Sequence, residues 1–403
     1  MIDLVQAAAW MPLVWSGAVA SVSLEAARRA RAARALARAG EAGAEAARAA
    51  MALRVLVIRP CAGREPFLDR TLGSLERARC SASLRCVFAI AEEGDEAAPA
   101  AGAAARALRA AGIPARVAVT APDAPNRKAA QIAAAVVAEP EPFDVLLVAD
   151  SDVDLDGLDL DLLIAPLAGP GPVAAVWAPP AEVALPRSFG DRASAAVLGG
   201  SLHAFPLLAG LDPRGLVGKL FAVRGGALAR AGGFGSLAAH LGEDMELGRR
   251  LREQGGEVRA APMVAPSLAC GRTLGAVVTR YARWITVIRA QRAALLPSYP
   301  GLFFATPLVV VASLVAALFA PWPASAPALA ALGLAVAARL LLAAEAARAA
   351  GRRTSLATAA ADAGLADLVL MVAFARAISS RTVVWRSAVL TVDRRGLLRG
   401  AAA

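Results

Sequence analysis

Residues 146–156 run Leu-Leu-Val-Ala-Asp-Ser-Asp-Val-Asp-Leu-Asp, an apolar stretch that stops abruptly on Asp150-Ser151-Asp152. A run this apolar reads as a buried strand, and it delivers its carboxylates to the strand's carboxyl end. Alternate residues of an extended chain point to opposite faces, so Asp150 and Asp152 share a face and Ser151 turns away. Two hard oxygen ligands on one face suit a divalent cation that also holds phosphates.

The segments around this strand set the fold class. Strands are expected over 53–60, 84–91, 115–120 and 145–149, with helical periodicity over 67–77, 97–112 and 128–138. Strands alternating with helices imply an α/β domain with a mostly parallel sheet and helices on both faces. Ligands of such sheets bind beyond the carboxyl ends of the strands, where Pro60, Glu92 to Asp95 and Asp150 all fall. The Gly-, Pro- and Ala-rich stretch 157–215 gives weak signals. The pattern recovers at Leu216 and includes a helix from about 243 to 254.

The 403 residues can bury a full catalytic domain and leave length over, and their 58% hydrophobic content exceeds that of an ordinary soluble chain. The surplus is local. Residues 4–24 are nearly uncharged, lack a basic leader and precede Arg28, Arg29, Arg31, Arg34 and Arg38. This reads as a signal anchor with the following chain in the cytoplasm.

The layout expected is an N-terminal transmembrane anchor over 1–25, a helical spacer over 26–52 and a catalytic domain over 53–298. A transmembrane hairpin over 299–346, broken at Pro321-Trp322-Pro323, follows. The stretch 354–378 carries Asp362, Asp367 and Arg376, and a span there would put the basic residues after it outside. It is therefore expected as a re-entrant or interfacial helix, with a third C-terminal span the alternative. Residues 379–403 are expected as a basic cytoplasmic tail. This arrangement suits a multi-pass membrane protein.

Net charge is +10, and only Lys128 and Lys219 among the 43 basic residues are lysine. An Arg excess fits a GC-rich genome or attraction to anionic lipid headgroups. No basic stripe with interleaved aromatics points to nucleic acid. Cys61, Cys80, Cys86 and Cys270 lack metal-ligand spacing and read as reduced, buried thiols.

Three acidic sites come in order, Glu92/Glu93/Asp95, Asp150/Asp152 and Glu243/Asp244, followed by Arg280-Tyr281-Ala282-Arg283-Trp284. Singly they read as a solvated loop, an Asx turn, a helix cap and an interfacial belt. Together, in this order, they resemble the inverting GT-A glycosyltransferases, and within them the ceramide glucosyltransferases and the bacterial glycosyltransferase of hopanoid biosynthesis. The resemblance runs from about 53 to 300. It rests also on Arg59-Pro60-Cys61-Ala62-Gly63, on Asn126-Arg127-Lys128-Ala129-Ala130-Gln131, on Gly242 to Gly248, on Arg289 and on Trp385-Arg386-Ser387. Arg59, Gln131, Met245 and Ser387 depart from the family's usual Lys, Asn, aromatic and Gly.

The resemblance implies a transferase that moves glucose or N-acetylglucosamine from a UDP-sugar to the hydroxyl of a membrane lipid. Asp152, with Asp150, would ligate Mg²⁺ or Mn²⁺, and Asp150 could instead contact the ribose. Glu93 or Asp95 would hold uracil or ribose. Pro60 and Lys128 would lie near the nucleotide. Arg280 and Arg283 would pair with the diphosphate, and Trp284 would wall the acceptor mouth. Asp244 is the candidate general base. Asp154 and Asp156 are expected as solvated loop residues. A processive polysaccharide synthase and a non-catalytic nucleotide-binding homologue are the alternatives.

Overall fold

The computed structural model describes the backbone of residues 2–38, 40–319, 322–385 and 388–400. The side chains of 2–8, 36–42 and 384–388 lie outside that description, as do Pro321, Arg386 and Ser387. The chain divides into two compact units. One takes residues 32–184, 212–270 and 382–403; the other takes 1–31, 185–211 and 271–381.

The first unit holds every described strand. These are β1 (Arg54–Pro60), β2 (Ser83–Ile90), β3 (Ala115–Val119), β4 (Val145–Ala149), β5 (Val173–Trp177), β6 (Pro180–Glu182), β7 (Leu220–Arg224), β8 (Glu257–Ala260), β9 (Ala265–Ser267), β10 (Thr382–Trp385), β11 (Ala388–Val392) and β12 (Leu398–Gly400). The central sheet runs β3-β2-β1-β4-β7-β5-β8. All pairs are parallel except those of β7, which lies antiparallel between β4 and β5. All five residues of β4 are buried, as expected of a central strand covered on both faces. Helices Ala98–Ala110 and Arg127–Val137 bury Ala104, Leu108, Ile132 and Ala135.

The expected strands and helices up to residue 149 are present within a residue or two. The weak stretch 157–215 is more ordered than its composition suggests. It contains β5 and the helices Phe189–Gly200 and Phe205–Leu211. Small Ala and Gly side chains hide periodicity but still bury: Ala193, Ala196 and Val197 are fully covered.

Residues 382–400, expected as a basic tail, form a three-stranded antiparallel sheet. Its β11–β12 turn is tied to the loop ahead of Glu243. Leu241 N–H donates to Gly396 O at 2.9 Å, and Leu398 N–H donates to Ala239 O at 2.7 Å.

The second unit is helical. Helix Ile2–Arg38 continues past residue 25, so anchor and early spacer are one element. Among the described residues three helices are long and apolar enough to cross a membrane: Phe189–Leu211, Ala326–Ala349 and Leu356–Ser379. Ala293–Phe303 and Ala305–Phe319 make a fourth if their 58° bend lies within one span. The segment expected as re-entrant or interfacial is a continuous 24-residue helix, as the third-span alternative requires.

Several charged side chains of this unit find partners within it. Arg339 reaches Asp367 at 2.9 Å and also donates to Gly200 O and to Ala363 O. Asp362 sits 2.8 Å from Arg192, and Arg289 donates to the Ala377 and Ile378 carbonyls that end helix Leu356–Ser379.

Candidate active site

The site is assembled by strand pairing. Ala149, the last residue of β4, is in register with Leu220, the first of β7. Antiparallel pairing therefore sets the residue after β4 beside the residue before β7. Asp150 N–H donates to Lys219 O at 2.8 Å. The Lys219 ammonium then lies 2.6 and 2.5 Å from the two oxygens of Asp152 and 3.5 Å from Asp150 Oδ2.

The other lysine closes on the same carboxylate. Lys128 Nζ is 2.6 Å from Asp150 Oδ1 and donates to Gly218 O at 2.7 Å. Both lysines of the chain thus converge on Asp150. Their nearby carboxylates hold both ammonium groups in the charged form above the ordinary lysine range, against the opposing effect of burial.

Lys128 owes its place to a helix cap. Asn126 is fully buried, and its side-chain oxygen accepts Ala129 N–H at 3.0 Å, starting helix Arg127–Val137. Its amide nitrogen donates to Glu243 Oε2 and to His240 O, both at 2.9 Å. This binds the start of one helix to the start of the next, Glu243–Glu253, and puts Lys128 in the first helical turn. Gln131, buried one turn on, donates to Cys61 O and Ala89 O behind β1.

Asp244 opens helix Glu243–Glu253. Its carboxylate accepts Gly218 N–H at 2.7 Å and Met245 N–H at 2.8 Å. Desolvation and the neighbouring Glu243 push its pKa up to about 6, with Lys128 pulling the other way. It keeps partial exposure. Gly218 leaves room for this approach: a Cβ would stand 3.1 Å from Asp244 Oδ2 and 3.3 Å from Lys128 Nζ, close enough that both side chains would have to give way.

The Asp150-Ser151-Asp152 turn is braced from below. Arg59, completely buried, donates to Asp150 O at 2.9 Å, to Val153 O at 2.7 Å and to Thr71 O. A planar fork reaching three carbonyls is work a lysine would do less well. Ser267 Oγ donates to Asp152 Oδ2 at 2.7 Å, and Ser151 Oγ donates to Glu65 Oε2 at 2.7 Å. Burial and the nearby Asp152 raise the Glu65 pKa.

Among the described residues no group of three or more His, Cys, Asp or Glu is placed to hold a metal. The aspartate pair nevertheless fits one kind of ion. Both carboxylates reach a single cationic atom, Lys219 Nζ, so one point charge can be shared between them. Mg²⁺ and Mn²⁺ sites of this type use one or two carboxylates and complete the shell with phosphate and water.

Glycosyl transferase family 21 matches the chain over residues 13–398. The chain belongs to that family. It is therefore a glycosyltransferase, and its mixed α/β unit with a mostly parallel sheet is in line with the motif resemblance. No curated protein matches it. Two solved structures are similar in outline. A mannosyltransferase from Pyrobaculum calidifontis is 19% identical, with 89% of this chain and 99% of that one covered and a TM-score of 0.44. A glucosyl-3-phosphoglycerate synthase from Mycobacterium tuberculosis is 16% identical, with 61% and 81% covered and a TM-score of 0.38.

In this family 21 glycosyltransferase the predicted residues separate into three groups. Asp150, Asp152, Lys128 and Asp244 come together as described. Pro60 and Asp95 lie at the carboxyl ends of β1 and β2. Pro60 is buried, and Asp95 Oδ1 accepts Gly63 N–H at 2.8 Å and Ala97 N–H at 2.9 Å, clamping the loop after β1. Glu93 is exposed.

Arg280, Arg283 and Trp284 belong to the helical unit, on helix Leu274–Gln291. There Arg280 donates to Ser194 Oγ and lies 5.0 Å from the Tyr281 ring and 5.3 Å from the Trp284 ring. Trp284 stacks on His203 at 6.1 Å and meets Tyr281 edge-on at 5.2 Å.

Asp154 corrects its expectation. It is buried, with Arg70 at 2.9 Å, rather than solvated. Asp156 is the exposed one and pairs with Arg77. Lys219, Glu65 and Ser267 were not anticipated. The scarcity of lysine was the available signal for Lys219. The four cysteines are free; Cys61 and Cys86 are buried, and burial pushes their thiols up to about 12.

Proposed function

We propose that the enzyme is a membrane-bound inverting transferase that moves glucose or N-acetylglucosamine from a UDP-sugar to the hydroxyl of a membrane lipid such as ceramide or a hopanoid. The observation that carries the reading is Asp244. It is a carboxylate fixed by two backbone N–H groups, tuned to about 6 and set beside the Lys128–Asp150 pair. A base poised near neutrality can take the proton from an acceptor hydroxyl as that oxygen attacks the anomeric carbon. One base and one displacement invert the anomeric centre.

Asp150 and Asp152 would hold Mg²⁺ or Mn²⁺, whose charge, when bound, stabilises the departing diphosphate. Lys128 adds a point charge on the same side. Asp95 and Glu93 would contact uracil or ribose, at the strand ends where α/β sheets bind ligands. Pro60 would flank the nucleotide, Arg280 and Arg283 would take diphosphate oxygens, and Trp284 would line the acceptor. The apolar helices fit an acceptor drawn from the bilayer. We place the protein in a bacterial inner membrane with the catalytic unit cytoplasmic, on the arginines that follow residue 25.

The test is transfer by isolated membranes from labelled UDP-glucose and UDP-N-acetylglucosamine, with lipid products identified by mass spectrometry. A single hexose on a lipid of inverted anomeric configuration is expected. Polymeric product, or UDP binding without UDP release, would overturn the reading. Because the Asp244 pKa is raised and the base must be ionised, kcat/KM should fall tenfold per unit as pH drops below about 6. A profile flat down to pH 4 would remove Asp244 from the role.

A further inference from the structure

The chemistry above leaves Lys219 without a task, yet its ammonium holds the most central position in the site. It is within 2.6 Å of both Asp152 oxygens and 3.5 Å from Asp150, the atoms assigned to the metal. Lys128 is different. It is spread over Asp150, Glu243 and the Gly218 carbonyl.

We propose that Lys219 is a built-in competitor for the divalent cation. Its ammonium keeps the Asp150–Asp152 pair until a nucleoside diphosphate arrives, then moves onto the diphosphate oxygens while the metal takes the carboxylates.

The argument is one of charge and reach. A bare dication entering the pair has to displace an ammonium and then sit beside it. That leaves two positive charges close together in a half-buried site where Coulomb terms are large. A diphosphate offers the displaced ammonium an anionic partner. Lysine suits the exchange because its charge is a compact point on a flexible stem, with no fork to satisfy. The backbone of Lys219 stays fixed through the Asp150 N–H bond, so only the side chain moves. Metal and diphosphate should then bind cooperatively, each tightening the other by the same factor. The enzyme would carry little metal between turnovers.

This inference rests on the reading that Asp150 and Asp152 hold the metal. The experiment separates the two. Full-length protein in detergent is titrated with Mn²⁺, with and without UDP, following the paramagnetic resonance signal of free Mn²⁺. Wild type should bind Mn²⁺ weakly alone and about tenfold or more tightly with UDP. Lys219→Met should bind Mn²⁺ alone about tenfold more tightly than wild type, with the UDP enhancement reduced to what direct contact of phosphate with the metal supplies. Its UDP affinity at saturating Mn²⁺ should fall. Lys219→Arg, which keeps the charge, should bind Mn²⁺ alone as weakly as wild type.

A residue with a merely structural role would weaken both ligands together. Unchanged or weaker Mn²⁺ binding by folded Lys219→Met overturns the competitor role. If that variant does not fold, Lys219→Gln decides by the same measure. Asp152→Asn that binds Mn²⁺ and UDP like wild type would overturn the metal assignment and this inference with it. Asp152→Asn that loses Mn²⁺, beside a silent Lys219→Met, would overturn the competitor alone.

Discussion

Arg339 and Lys219 both meet buried aspartates, and the protein holds them in opposite ways. Arg339 is 6% exposed, faces an Asp367 that is 8% exposed, and satisfies its fork with that carboxylate and two backbone carbonyls. Lys219 is 27% exposed and Lys128 21%, and they crowd onto Asp150 and Asp152. The first cluster is held by hydrogen bonds within its own helices. The second gathers point charges on flexible stems at a partly open carboxylate pair. In a chain that otherwise uses arginine throughout, the cation that locks is arginine and the cations gathered at the candidate site are lysine.

Substitutions should divide along the same line. The largest effect is expected at Asp152. Asp152→Asn should lower sugar transfer about 10²–10³-fold with little change in melting temperature, because its task is charge in the transition state. Loss of fold in step with activity would make the lysine cluster another structural lock.

Arg339→Ala should do the reverse. Leaving Asp367 buried without its partner costs about 3–5 kcal/mol, read as a lowered unfolding midpoint in detergent. Nucleotide binding by whatever remains folded should be near normal. Arg339→Lys should recover part of the stability and not all of it, since an ammonium cannot reproduce the fork.

The smallest effect is at Asn126, which belongs to the candidate site only through what it holds in place. Asn126→Ala removes a helix cap worth about 1 kcal/mol and leaves Glu243 without its Asn126 hydrogen bond. Weaker UDP-sugar binding at nearly constant kcat is expected, and steady-state kinetics would show it. An unchanged KM would mean that Lys128 is positioned without the cap.

The catalytic half of the fold was legible up to residue 149 because each strand there is dominated by apolar residues, β4 without a break, and alternates with a helical segment. Beyond it the signal thins. Strand β5 and helix Phe189–Gly200 are rich in small residues, Ala and Val in the strand and Ala, Gly and Ser in the helix, which blur both periods. The C-terminal strands were hidden by arginines, which a surface sheet tolerates as readily as a tail does.

At the site, the carboxylates could be read because they end a strand locally. Lys219 could not, because its nearness to Asp152 depends on β7 lying antiparallel beside β4, a pairing between segments some 70 residues apart with no local trace. Asn126 was visible as part of a motif. Its work as a cap joined to Glu243 required the tertiary contact.

The central claim is that Asp244 takes the acceptor proton while the aspartate–lysine cluster manages the donor. Asp244→Asn, assayed for both UDP-sugar binding and sugar transfer to lipid in the same membranes, tests it most directly. The account predicts donor affinity within a few-fold of wild type and transfer reduced about 10²–10⁴-fold. Transfer at the wild-type rate, or loss of donor binding in proportion to transfer, would contradict it.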